Sequence, residues 1–173
     1  MHIFIIGPTA SGKTTIGKKL AQLLNMNFFD TDKEIENSTG VSINWLFDIE
    51  GEEGFRKREK DILLEIKKNN ASVVSTGAGL VLEKNNRELL SSNGQIIYLD
   101  VSIESQLKRT TFDKTRPLLS KGDKREILLK MSKDRDHLYK KLADITIKAG
   151  KKSRKEIIEE IASKIKTIED GSD

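Results

Sequence analysis

Ile3-Phe4-Ile5-Ile6-Gly7-Pro8-Thr9-Ala10-Ser11-Gly12-Lys13-Thr14 joins a short apolar run to a complete G-x-x-x-x-G-K-T pattern. Behind it Ile16, Leu20, Leu23 and Leu24 follow the i, i+4, i+7, i+8 spacing of one helix face, with Lys18, Lys19 and Gln22 on the other. Strand, glycine-bounded loop and helix in that order give the pattern its meaning. The two glycines let the backbone curl so that successive N–H groups and the positive end of the helix converge on phosphate oxygens. Lys13 is then placed for the β- and γ-phosphates and the Thr14 hydroxyl for the Mg²⁺ that bridges them, with Ala10, Ser11, Gly12 and Thr15 completing the nucleotide contacts. A bare strand-to-helix turn has no use for a Lys-Thr pair in that register. A purine triphosphate with magnesium is the expected ligand.

Four more apolar runs, at residues 28–29, 73–74, 96–99 and 145–147, resemble the first in being continuous rather than alternating. Such runs read as strands covered on both faces. Helical spacing lies between and after them. Asp123 and Glu126 form an acidic cap before Ile127, Leu128 and Met131, opening a helix that runs to about Tyr139. Ser153 and Glu156 have capping-box spacing before Ile157, Ile158, Ile161, Ile165 and Ile168. A further helical zone spans residues 42–68 and is interrupted near Gly51 and Gly54. Strands alternating with helices predict a three-layer α/β/α fold around a parallel sheet.

The chain has 173 residues, the size of one domain with its own core. It has no cysteine, which excludes disulfides, thiolate metal sites and a cysteine nucleophile. Its net charge of +4 comes from 31 basic and 27 acidic side chains mixed along the chain, a setting for solubility rather than a nucleic-acid footprint. No aromatic platform interleaves the basic residues, so no nucleic-acid partner is expected. No apolar run approaches bilayer length and no leader pattern stands at the start, so a cytoplasmic protein with no membrane partner is expected.

The second apolar run ends in Asp30-Thr31-Asp32. In an open parallel sheet the carboxyl ends of strands border the ligand crevice. Two carboxylates two residues apart on a strand end point the same way, so one can order the metal's water shell while the other accepts a proton from an attacking hydroxyl. The plainer reading, helix N-cap acids, stays open for Asp32 with Glu36 nearby.

Five strings in order, Asp30-Thr31-Asp32-Lys33-Glu34-Ile35-Glu36, Gly51-Glu52-Glu53-Gly54-Phe55-Arg56-Lys57-Arg58-Glu59, Ser75-Thr76-Gly77-Ala78-Gly79, Thr115-Arg116-Pro117-Leu118-Leu119 and Arg135-Asp136-His137-Leu138-Tyr139, resemble the signature of shikimate kinases. The resemblance runs from Gly7 to about Ile147. It implies ATP-dependent phosphorylation of the shikimate 3-hydroxyl, on the way to chorismate and the aromatic amino acids. It also implies the fold of the nucleoside monophosphate kinase group, a P-loop kinase domain with a five-stranded parallel sheet, a mobile lid and a substrate-binding helical region. Position by position, Asp32 matches the family's acceptor-binding aspartate and base, and Asp30 the one near magnesium, acting through water. Arg56 and Arg135 match the arginines that hold the substrate carboxylate, as bidentate guanidinium geometry suits. Glu59 matches an acid that orients Arg56. The alternatives are an exposed helix charge for Arg56 and an ion pair with Asp134 or Asp136 for Arg135.

Residues 108–122, polar and poor in apolar content, read as a mobile lid. Within it Arg116 matches the family's lid arginine, which contacts ATP phosphates and joins Lys13 and Asp32 as a catalytic group. One string departs from the family: three glycines are usual where this chain has Gly77-Ala78-Gly79. Ala78 and Gly79 are expected to offer backbone N–H groups to the substrate carboxylate. An alanine at 78 keeps the donor but resists positive φ, at a cost of about 1 kcal/mol if that conformation is needed.

Asp100, closing the run at residues 96–99, resembles a Walker B acid, although the family match assigns the metal role to Asp30. Trp45 and Phe47 either pack on substrate or fill core. The expected organisation is one kinase domain over residues 1–168, a substrate-binding region at about 31–60, a lid at about 110–123 and a flexible tail at 169–173, in a monomer. Rival readings are a kinase for gluconate or a nucleoside monophosphate, and a non-catalytic ATP-binding module.

Overall fold

The computed structural model describes residues 1–111, 119 and 122–170, the last five of these by backbone alone. Five strands form one sheet: β1 (His2–Ile6), β2 (Asn27–Asp30), β3 (Ser72–Ser75), β4 (Gly94–Asp100) and β5 (Ile145–Lys148). All pairings are parallel, in the order β2-β3-β1-β4-β5. Each strand contains its predicted apolar run and extends beyond it by one or two residues at one or both ends, because flanking polar residues such as Asn27 and Ser72 also join the ladder.

The two faces of the sheet explain why the runs are continuous. Ile3 and Ile5 join Ile97, Leu99, Ile145 and Ile147 in a core beneath helices α1 (Lys13–Leu24) and α7 (Arg154–Asp170). Phe4, Ile6, Val74 and Tyr98 point the opposite way. They pack against α3 (Ile43–Ile66), α4 (Lys84–Asn93) and α6 (Lys124–Leu142). Successive residues face opposite sides of the sheet, so burying both sides requires an unbroken apolar strand. The edge strand β5 is covered on one face only, and there Ile145 and Ile147 are buried while Thr146 and Lys148 are exposed.

Two helix caps form as read. Asp123 Oδ1 accepts from the Arg125 and Glu126 N–H groups at 2.7 and 3.1 Å. Ser153 and Glu156 exchange reciprocal bonds at 2.7 and 3.3 Å. The predicted stripe on α1 needs one correction: Leu23 is exposed. The buried arc is centred on Lys13, Gly17 and Leu24, and at about 100° per residue Leu23 lies roughly a quarter turn off it. Helices α2 (Thr31–Thr39), α4 and α5 (Ile103–Thr110) were not singled out by apolar spacing; α5, for example, is almost wholly polar.

The interruption in α3 falls where the glycines predict. Gly51 has φ 67° and ψ −174°, and the helix changes direction there. Glu50 pairs with Arg58 across the bend. The second half of α3 thereby swings Phe55, Arg56 and Glu59 inward, over a small core of Ile35, Leu46 and Phe55. The tail assigned to 169–173 begins inside α7, which runs to Asp170, and positions 171–173 lie outside the described residues.

Candidate active site

Beyond β1 the chain turns through two glycines at positive φ, Gly7 (146°) and Gly12 (96°), and through Ala10 at 59°. A side chain at Gly7 would put its Cβ 2.7 Å from the Leu99 carbonyl oxygen, so that position is closed by space as well as by conformation. Ala10 accepts the left-handed conformation that alanine resists, and its carbonyl is held from outside by Arg109 Nη1 at 2.9 Å. Arg109, in the last turn of α5, was missed in the sequence because nothing local links positions 99 residues apart. Lys13 opens α1 with its ammonium folded over the loop, donating to the Gly7 and Pro8 carbonyls at 2.8 Å each. Ser11 is buried with its Oγ 3.5 Å from Lys13 Nζ. Among the described residues no side chain caps the N-terminal N–H groups of α1, which leaves them for an anion. Thr15 is half-buried one residue beyond Thr14.

Thr14 Oγ1 donates to Asp30 Oδ2 at 2.6 Å and lies 3.4 Å from Ser75 Oγ. The two residues expected near magnesium are therefore in contact. The strand-end geometry expected for Asp30 and Asp32 does not form. β2 stops at Asp30, whose Oδ1 caps α2 by accepting from Lys33 N at 3.3 Å, and Asp32 sits in the first helical turn. Both still line one cleft, brought there by a strand-to-helix corner.

Asp32 Oδ1 and Glu59 Oε1 converge on Gly77, each 2.7 Å from where a Cβ on that residue would stand. Gly77 N donates to Thr31 Oγ1 at 2.9 Å, and this holds the loop against α2. Gly79 is equally crowded: its Cβ would stand 2.1 Å from Arg56 Nη2. Ala78 is the member of the trio with room, and it does not have positive φ, nor do Gly77 and Gly79. The strain expected of an alanine there is absent, because the loop needs its glycines for space and not for left-handed backbone.

Arg56 is 7% exposed, which rules out the surface charge its Arg-Lys-Arg context suggested. It donates to Glu59 Oε2 at 2.6 Å and to Glu52 Oε1 at 2.8 Å. Burial alone would lower its pKa, but Glu59 and Glu52 outweigh that and hold the guanidinium charged. Burial pushes the Glu59 carboxyl up to about 7 against the pull of Arg56, and the Asp32 charge adds to the rise. Arg135 is buried too. Among the described residues no carboxylate pairs with it as the ion-pair reading required: its charge stands beside the Tyr139 hydroxyl, and Asp136 accepts from Ser132 at 2.6 Å.

Thr14, Asp30, Asp32, Arg56, Glu59, Gly77, Ala78, Gly79 and Arg135 all line one cleft of about 780 Å³. Phe47 lines it, its ring tilted against Phe55 with centroids 4.7 Å apart. Trp45 neither lines it nor fills core; its side is 48% exposed. Leu119 is buried against the cleft, whereas Arg116 and the rest of the string at 115–118 lie outside the described residues. Asp100 accepts from Tyr98 Oη at 3.3 Å and is not among the cleft residues.

A parallel sheet with a phosphate loop after its first strand, opening on a cleft walled by carboxylates and buried arginines, defines a P-loop kinase of small molecules. The shikimate kinase family profile matches residues 9–166. A shikimate kinase from Baumannia cicadellinicola subsp. Homalodisca coagulata is 48% identical over 163 residues, 94% of each chain. One from Pasteurella multocida is 47% identical over 168 residues, 96% of each. The solved shikimate kinase of Acinetobacter baumannii, in complex with shikimate, superposes with a TM-score of 0.93 at 40% identity, covering 96% of this chain and 93% of that one. The chain belongs to the shikimate kinase family.

Proposed function

We propose that this chain transfers the γ-phosphoryl group of ATP to the 3-hydroxyl of shikimate, giving shikimate 3-phosphate and ADP for chorismate and aromatic amino acid synthesis. The observation that carries the reading is one cleft lined both by Thr14 and Asp30, which suit the metal of a triphosphate, and by Arg56 and Arg135, which suit a carboxylic acid. Asp32 takes the proton of the 3-hydroxyl as its oxygen attacks the γ-phosphorus, and the bond from that phosphorus to the bridging oxygen breaks as ADP leaves. Lys13 and the N–H groups of residues 10–15 offset the charge on the phosphates. Arg116, carried over from the family resemblance, adds a further cation from a lid at about 110–123.

Arg56 and Arg135, with the N–H groups of Ala78 and Gly79, hold the substrate carboxylate so that attack is in line. Arg56 has two carboxylate partners of unequal strength. Glu59 is fully buried, whereas the Glu52 side chain is 49% exposed. Water reaches the half-exposed Glu52 and offsets the loss of its bond, so an incoming carboxylate displaces Glu52 more readily than the buried Glu59.

Thr14 and Asp30 fit a magnesium ion: a hydroxyl and a carboxylate already in contact, both hard oxygen donors. Thr14 and Asp30 would hold the ion together with the nucleotide phosphates. The ion supplies charge neutralisation on the phosphates. No helix among the described residues is long and apolar enough to cross a membrane, and a cytoplasmic monomer fits the reading.

The test is an ADP-release assay of the purified protein with MgATP and, in turn, shikimate, gluconate, CMP and AMP. Turnover is expected with shikimate alone. No turnover at millimolar shikimate, or equal turnover without it, refutes the proposal.

A further inference from the structure

We propose that the Tyr139 hydroxyl is a positioning group for the acid-binding end of the cleft, tying Arg135 and the 77–79 loop into one anion-binding unit. The inference rests on the reading that Arg135 and the loop N–H groups receive the substrate carboxylate. It adds a residue that lines none of the cleft itself.

Tyr139 lies one turn beyond Arg135 on α6 and is 1% exposed. Its hydroxyl donates to the Ala78 carbonyl at 2.5 Å, and the positive charge of Arg135 stands beside it. A phenol has one proton to give and lone pairs to receive, so the oxygen that binds the loop can also face the guanidinium. Burial keeps it protonated, so the donor is permanent. The ring is fixed as well, stacked on Tyr98 of the central sheet at 5.2 Å and 23°. Tyr98 is in turn held by its bond to Asp100. The hydroxyl therefore stands at a point set by β4 and α6, not by the loop it binds.

Its effect on the loop follows from peptide planarity. In a trans peptide the C=O and the next N–H point in opposite directions. The Ala78 carbonyl is drawn towards α6, so the Gly79 N–H is turned away from α6. One peptide earlier, the Gly77 carbonyl accepts from Leu80 N at 3.2 Å and fixes the Ala78 N–H in the same manner. With both carbonyls engaged, two adjacent N–H groups are oriented before any acid arrives. Arg135, lacking a carboxylate partner among the described residues, stands beside the same oxygen, whose lone pairs can take a guanidinium N–H. Without that hydroxyl the 78–79 peptide can rotate and Arg135 loses the oxygen beside it.

Tyr139→Phe removes the hydroxyl and keeps the ring. The expected result is a shikimate KM raised about ten- to a hundred-fold, the range for a lost hydrogen bond to a charged group, with kcat within three-fold and ATP KM within two-fold of wild type. A merely structural defect would also penalise an analogue bearing a hydroxymethyl group in place of the carboxylate, whereas the proposal expects wild-type and variant to use that analogue equally. Arg135→Ala separates the two levels of argument. If it leaves the shikimate KM unchanged, the carboxylate assignment fails and the proposal with it; if it raises KM while Tyr139→Phe does not, only the role of Tyr139 is overturned.

A second measurement does not depend on the variant folding. The chain has two tyrosines, so biosynthetic incorporation of 3-fluorotyrosine gives two fluorine signals. The Tyr139 signal, identified with Tyr98→Phe, is expected to shift on adding shikimate and not on adding the hydroxymethyl analogue. No shift with shikimate overturns the proposal.

Discussion

Gly79→Ala is expected to cripple shikimate recognition while leaving the nucleotide end intact. The added Cβ would stand 2.1, 2.6 and 2.7 Å from Arg56 Nη2, Cζ and Nη1, so the guanidinium must retreat by about 1 Å or more to restore ordinary contact. It cannot retreat freely, because Glu59 and Glu52 hold it at 2.6 and 2.8 Å and it is buried on all but 7% of its surface. Breaking a buried pair costs about 3–5 kcal/mol, and a misplacement of about 1 Å at a binding group can cost about a hundred-fold in rate. Steady-state kinetics should therefore show kcat/KM for shikimate falling at least a hundred-fold, with ATP affinity by titration within two-fold. Ala78→Gly is the matched control one residue away. Ala78 has no positive φ to relieve, and the substitution should change the shikimate KM less than three-fold. Gly79→Ala with wild-type kinetics, or Ala78→Gly with a ten-fold lower KM, would refute the assignment of space to 79 and of indifference to 78.

Asp32→Asn should abolish turnover, with ATP binding by calorimetry nearly unchanged; a variant that still turns over well removes Asp32 from the role of base. Glu59 gives a pH dependence whose sign is fixed by its burial. Its carboxyl is raised from 4.5 to about 7, so between those values the unfolded chain ionises while the folded one keeps the proton, and stability falls by up to about 3 kcal/mol as pH rises through that window. Thermal melts at pH 5 and pH 8 should thus show Glu59→Gln gaining on wild type at the higher pH, and a constant difference would contradict the raised value. Ser153→Ala removes half of the reciprocal cap on α7 and should cost about 1 kcal/mol, lowering Tm by about 2–4 °C; an unchanged melt would mean the cap adds nothing.

What could be read in the sequence was whatever is contiguous along it. The phosphate loop is one such segment, and each of its requirements falls within eight residues: a strand to end, glycines to curl, a lysine and a threonine in helical register. The bend in α3 was legible for the same reason, since a glycine pair interrupts an otherwise helical stretch. Asp30 and Asp32 were placed on the correct wall by the wrong local geometry. The chain leaves the sheet at Asp30 because that side chain caps the next helix, an event decided by one hydrogen bond to Lys33 N.

The rest of the site was illegible for a physical reason that Ala78 makes plain. A glycine can be required by backbone conformation or by the space a neighbour occupies, and only the first has a local cause. Gly77 and Gly79 are required by Asp32, Glu59 and Arg56, residues outside their own string, so that string holds no sign of which glycine is replaceable. The same holds for the bonds that close the site: Thr31 to Gly77, Tyr139 to Ala78 and Arg109 to Ala10 span 46, 61 and 99 residues. In the sequence Tyr139 is a buried aromatic at helical spacing like many others. Its hydroxyl acquires a function only when β4, α6 and the loop after β3 meet, and a resemblance over the whole chain can transfer named roles to named positions but not the contacts that make a neighbouring residue matter.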